Sequence, residues 1–132
     1  EGVARTAALE KRGAYWQSIG SVPLLTKSSS MGGIGQIQVG YLFDKQQLGD
    51  GWDFVEHVIV PHGSSIGLHE HSDTEECYYF LEGQGNMEID GEKVAFEAGT
   101  VSLCHSGSRH VLVNKSGGDV RFLAIQVPVR RV

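Results

Sequence analysis

Residues 63–83 read GSSIGLHEHSDTEECYYFLEG, and the two histidines at positions 69 and 71 decide how the chain folds. Strand side chains alternate with period two, so on an extended segment His69 and His71 point to one side; a helix would separate them by about 200°. Glu76 follows across the polar stretch Ser72-Asp73-Thr74-Glu75 and opens Cys77-Tyr78-Tyr79-Phe80-Leu81, an aromatic-rich run of strand character. Tyr78 and Phe80 share the parity of Glu76, whereas Cys77, Tyr79 and Leu81 face the opposite side. With His110 arriving from a distant segment, three imidazoles and one carboxylate make a mixed nitrogen and oxygen set. Such a set suits iron, manganese, nickel, cobalt, copper or zinc, and no thiolate spacing competes with it. The expectation is one divalent transition metal ion per chain, with open coordination positions for water, substrate or dioxygen.

Outward from this stretch the chain reads as short β-type runs separated by turns. Eighteen glycines in 132 residues exceed the usual share of about 7% and punctuate the runs instead of gathering in one linker. Residues 34–43 alternate, 54–60 are apolar and β-branched, and 85–89 and 93–96 flank Asp90-Gly91, a strong hairpin signal. Residues 101–103, 110–113 and 120–127 complete the set, with Ser116-Gly117-Gly118-Asp119 as a turn. Many short strands at nearly even spacing predict an all-β sandwich or barrel. Only residues 5–12 read as a helix; residues 13–33 and 44–52 read as loops or arms. The expected organisation is an N-terminal arm over 1–33 and a β-barrel over 34–132, in one domain with one core.

A net charge of −5, with no basic cluster beyond Arg130-Arg131, argues against a nucleic-acid footprint and against an anionic membrane. No apolar run approaches the roughly 20 residues of a membrane span, and the start Glu1-Gly2-Val3-Ala4-Arg5 has no signal-peptide core. Cys77 and Cys104 do not make a disulfide framework and suit a reducing, cytoplasmic setting. The expected partner is a small-molecule substrate.

The motif residues resemble the two signatures of the cupin superfamily, small β-barrels of jelly-roll type. Gly63, His69, His71, Glu76 and Gly83 match the first at every fixed position. Gly99, Gly107, His110 and Asn114 match the second, with His105 standing where the family usually has proline. The fifteen residues 84–98 between the motifs agree with the shortest cupins, and the resemblance covers roughly residues 35–127. It implies that His69, His71, Glu76 and His110 bind the metal inside the barrel. It implies little about the reaction, because cupins include oxygenases, isomerases, epimerases, lyases and non-enzymatic binders.

Around the ligand set, Tyr78 reads equally as a proton donor or base and as a packed aromatic; a metal-adjacent phenol with a lowered pKa would act in proton transfer. His105 reads either as an acid or base beside the site or as an exposed turn residue. Alternation turns Arg109 away from the cavity if His110 faces it; His62 lies in a turn; His57 is left open by parity. Tyr15, Trp16, Tyr41 and Trp52 read as contacts of a homodimer. The functional expectation is a metal-dependent enzyme acting on a small oxygen-bearing molecule, leaning to a dioxygenase. The alternatives are an isomerase, epimerase or lyase using Tyr78 or His105, and a non-catalytic binder.

Overall fold

Alternation and glycine punctuation become twelve antiparallel strands in the computed structural model, which describes residues 9–11 and 14–129. In chain order they are β1 (Leu9–Lys11), β2 (Ala14–Trp16), β3 (Leu25–Ser28), β4 (Gln36–Phe43), β5 (Phe54–Val60) and β6 (Ser65–Glu70). Then follow β7 (Thr74–Glu82), β8 (Gly85–Ile89), β9 (Glu92–Phe96), β10 (Val101–Cys104), β11 (Arg109–Val113) and β12 (Val120–Pro128). A six-stranded sheet in the order β10-β7-β12-β5-β4-β3 faces a four-stranded sheet in the order β6-β11-β8-β9. This is the all-β jelly-roll arrangement that the alternating pattern and the resemblance led us to expect.

The helix expected over residues 5–12 does not form at Leu9–Lys11, which pairs as β1 with β2 in the register Leu9↔Trp16; residues 5–8 and 12 lie outside the described residues. Helices much shorter than about 12 residues are marginal in water, so two short segments gain more from cross-strand pairing. The segment read as loop over 13–33 also holds β3, which extends the large sheet through Leu25↔Val39 and Ser28↔Gln36.

One strand carries the chain from core to site. Along β7, Phe80 and Tyr78 are buried with Glu76 on the same inner face. Phe80 stacks on Phe96 of the small sheet at 4.1 Å between ring centroids, and Phe122 of β12 packs on Tyr78 at 4.2 Å. Phe80 and Phe122 are fully buried; burying such a side chain stabilises the fold by about 1.5–3 kcal/mol. These rings close one end of the space between the sheets, and the ligand-bearing residues occupy the other.

A bulge sets the aim of the histidines. Opposite β11, His69 pairs with His110 but Ile66 pairs with Leu112, so the register shifts between these two pairs. Ile66 and His69, three apart, would face opposite sides of a regular strand; the shift lets both face inward. Gly67 sits inside this irregularity, where a Cβ would come within 2.2 Å of the Met31 carbonyl oxygen and 2.8 Å of the Gly33 nitrogen. The close approach of the 30–33 turn therefore requires glycine at this position.

Asn114 ties off the far end of β11. It is buried, its Nδ2 donates to the carbonyls of Val60 (2.8 Å) and Gly118 (2.7 Å), and its Oδ1 accepts from the backbone N–H and the hydroxyl of Ser116. Removing the side chain strands a buried carbonyl as well as losing these bonds. Asn114→Ala is expected to cost about 2–4 kcal/mol in urea unfolding, while the exposed neighbour change Lys115→Ala stays within about 0.5 kcal/mol.

Candidate metal centre

β6 supplies His69, the link beyond it His71, β7 Glu76 and β11 His110. Their ligand atoms all lie within 4.8 Å of one another, so the four form a group that could hold one metal ion. His110 Nε2 is 3.0 Å from His69 Nε2 and 3.1 Å from His71 Nε2; Glu76 Oε1 is 3.0 Å from His71 Nε2 and 3.3 Å from His110 Nε2. Adjacent ligands about 2.1 Å from a common ion at right angles stand about 3.0 Å apart, which is the spacing found.

The protonation pattern fits the same conclusion. His69 Nδ1 lies 2.8 Å from the Gly67 carbonyl oxygen, which only accepts, so the proton is on Nδ1 and the Nε2 lone pair faces the cluster. Burial lowers the pKa of His69, outweighing the opposing bond to Gly67, and keeps this imidazole neutral. His71 Nδ1 has a similar outer partner in the Thr74 hydroxyl at 3.1 Å. Imidazole nitrogens and a carboxylate oxygen converging on one point suit a positive centre among them, which a metal cation would supply. Burial by itself would raise Glu76, but hydrogen bonds with His110 and His71 outweigh it and hold the carboxyl at about 2.

Tyr78 stacks on His110 with ring centroids 5.0 Å apart and planes 28° from parallel. Its phenol shifts opposite to the lowering that proton transfer would require. Burial, the Glu76 charge and a hydrogen bond to that carboxylate push it well above the ordinary tyrosine value. A neutral hydroxyl donating to Glu76 can orient that carboxylate.

The other candidates lie elsewhere. His105 is exposed, with Nδ1 2.6 Å from Glu75 Oε2, and does not border the cavity at the cluster. His62 is exposed and its Nδ1 donates to the Ser116 carbonyl. His57 is buried, accepts from Arg121 Nε at 3.1 Å, and is lowered by burial and then by the Arg121 charge. Arg109 is exposed on the face of β11 opposite His110. Leu103 pairs with Cys77 and Cys104 with Glu76, so the two cysteines belong to opposite faces; both are free thiols.

Beside the cluster lies a cavity of about 280 Å³, bordered by His69, His71, Glu76, Tyr78, Lys27 and Glu56. Sequence reading passed over Glu56, although it shares the parity of Val58 on β5 and that parity was the available signal. Burial pushes its carboxyl up to about 7; Lys27 opposes and Glu76 adds to the rise. A larger open groove of about 610 Å³, along Lys93, Lys115 and Glu88 on the small sheet, contains none of the cluster.

Comparison with known proteins agrees with this geometry. The family model of the cupin domain matches residues 56–126. A curated relative, the oxalate-binding protein of Thermotoga maritima, is 34% identical over 98 residues, which cover 74% of this chain and 81% of that protein. A crystal structure of a predicted oxalate decarboxylase from Thermotoga maritima superposes with a TM-score of 0.82 at 29% identity, covering 85% of this chain and 97% of that one. The cupin domain of Schizosaccharomyces pombe Cnp3 shares the fold, with a TM-score of 0.69 at 15% identity over 87% of this chain and 73% of that one.

The raised Glu56 carboxyl has a stability consequence of definite sign. Between the ordinary value of 4.5 and about 7 the folded state binds more protons than the unfolded state, so stability falls as pH rises through that window. Glu56→Gln removes the penalty. In urea titrations it is expected to be more stable than the parent by about 1–3 kcal/mol at pH 8, with the difference closing near pH 5.

Proposed function

Because this chain belongs to the cupin domain family, we propose that it is a metal-dependent cupin enzyme that takes a small, oxygen-rich organic acid of the oxalate type into the cavity beside His69, His71, Glu76 and His110. The observation that carries this reading is the coincidence of a built cation site with a small cavity that has Lys27 among its lining residues. A volume of about 280 Å³ suits a ligand of few heavy atoms. The name of the Thermotoga maritima relative, an oxalate-binding protein, supports the choice of a dicarboxylate.

A divalent transition metal ion held by the four ligands would supply Lewis acidity to the oxygens of the acid. The protein's own groups do the rest. Tyr78 donates to Glu76 and fixes its orientation; Phe122 and Ala124 wall the cavity; Lys27 attracts an anion. Tyr78 acts here as an orienting donor, and His105 is assigned no proton transfer because it lies exposed against Glu75.

Between the enzyme readings we favour a lyase of the decarboxylase kind over the dioxygenase, because the structural relative at 29% identity is named a predicted oxalate decarboxylase. A second reading, capture without turnover, is favoured by the name of the curated relative as a binding protein. We place the protein in the cytoplasm, where both thiols persist, and as a homodimer. Tyr79, Val101 and Leu103 expose 41%, 60% and 47% of their surface on the outer face of the large sheet, the kind of contiguous apolar patch that partners cover.

Protein loaded in turn with manganese, iron, nickel and zinc is expected to bind oxalate in proportion to its metal content by calorimetry, and His69→Ala to lose both. Carbon dioxide release without oxygen uptake identifies the lyase, incorporation of labelled dioxygen into product the dioxygenase, and binding with neither the capture protein; no dicarboxylate binding by any loaded form would sink the reading. For the assembly, sedimentation should give two chains per particle and Leu103→Glu should give one. A monomeric parent would refute it.

A further inference from the structure

The cavity has a second carboxyl besides Glu76, and nothing in the metal centre uses it. Glu56 stands on β5 next to β12, where its backbone partner is Ala124, and Ala124 is in turn the partner of Tyr78 on β7. Two strand spacings of about 4.8 Å put Glu56 and Tyr78 roughly 10 Å apart across the sheet, on one inner face. The residue between them has only a methyl group, so the space above Ala124 stays open and forms part of the cavity. Glu76 lies one step further along β7, opposite Gln126. A ligand with one end at the metal cluster therefore has its other end facing Glu56.

The surroundings of Glu56 give it no fixed counter-charge. Among the described residues no hydrogen bond or ion pair within 4 Å reaches it. From β3, Lys27 acts on it at longer range, its ammonium group lying 5.4 Å from the centre of the Tyr41 ring. From β4 the facing group is Tyr41, its backbone partner. β12 presents Ala124 and Gln126, the latter bonded to Asp53, which is itself paired with Lys45. β7 presents Glu76 and Tyr78, and the imidazoles of His69, His71 and His110 complete the far side. Burial, with the negative Glu76 adding to it, favours the neutral form of Glu56 near neutral pH, against the pull of Lys27.

Building on the dicarboxylate reading of the cavity, we propose that Glu56 recognises the outer carboxylate of the ligand as a neutral acid, donating its proton as a hydrogen bond, so that ligand binding takes up one proton. An ionised Glu56 would set a third carboxylate against the two of the ligand at a site where burial already disfavours its charge. Protonated, the same side chain becomes the donor that the outer carboxylate needs. Recognition at the metal end selects an oxyanion that can chelate; recognition at the Glu56 end selects a second carboxylate at a set distance. Capture is then strongest below neutral pH and weakens as pH rises.

The test uses the full-length, metal-loaded protein and oxalate, by calorimetry in two buffers of different ionisation heat at pH 6 and pH 8, with bound metal measured in every sample. The parent is expected to take up close to one proton per oxalate at pH 8 and little at pH 6, and its affinity to fall about tenfold per pH unit above 7. Glu56→Gln keeps a donor of the same shape but cannot titrate, so its affinity should be flat across this range with no proton uptake at Glu56. Glu56→Ala should lose the slope as well and bind about tenfold more weakly than Glu56→Gln, with the metal content of both variants unchanged. A Glu56→Gln protein that keeps the parent's pH slope and proton count would overturn the role of Glu56 while leaving the dicarboxylate reading intact. A loaded parent that binds no dicarboxylate would overturn both.

Discussion

Four ligand atoms that would repel or ignore one another in isolation are held at 3.0–3.3 Å contacts inside the protein, and the remaining structure is organised around that crowding. Two of the histidines lie on paired strands of the small sheet and a third on the link between the sheets, while the carboxylate belongs to the large sheet. A cation at their centre would therefore join the two sheets at the end opposite the phenylalanine core. The bulge in β6, the glycine at 67 and the stacked Tyr78 each serve this convergence. The bulge aims His69, the glycine lets the neighbouring turn close in, and the ring fixes the plane of His110.

Crowding of this kind also distributes protons. The carboxylate next to the imidazoles stays ionised because hydrogen bonds with His110 and His71 outweigh its burial. The phenol beside that carboxylate stays neutral because burial and the negative charge both oppose its ionisation. Across the cavity, where no imidazole reaches, the same burial acts on Glu56 with only Lys27 to oppose it, and the carboxyl moves up to about 7. Two glutamates in one cavity are thus shifted in opposite directions because hydrogen bonds from two imidazoles outweigh burial at Glu76, while at Glu56 burial outweighs the more distant Lys27.

Much of the fold and the cluster was legible because period-two alternation is a local property. It groups His69 with His71 and Glu76 with Tyr78 and Phe80 without knowledge of any other strand, and the structure brings the four metal-ligand candidates together. The misreadings came where local pattern was weak. Leu9–Lys11, read as part of a helix from its helix-forming residue types, instead pairs with β2 as a strand. β3 was read as part of an arm, since a polar edge strand lacks alternation; it is the pairing with β4 that makes it a strand.

The sequence by itself determined the alternation, the turns and the residue types able to bind a cation, because these follow from backbone geometry and side-chain chemistry within a few residues. Only the tertiary structure decided what stands beside what. It showed that Tyr78 donates to Glu76, that His105 meets Glu75 on the outside, and that Glu56 looks across Ala124 into the cavity. Protonation depends on burial and on charges a few ångströms away, and those neighbours come from strands up to about 70 residues distant in the chain. No local pattern carries that information.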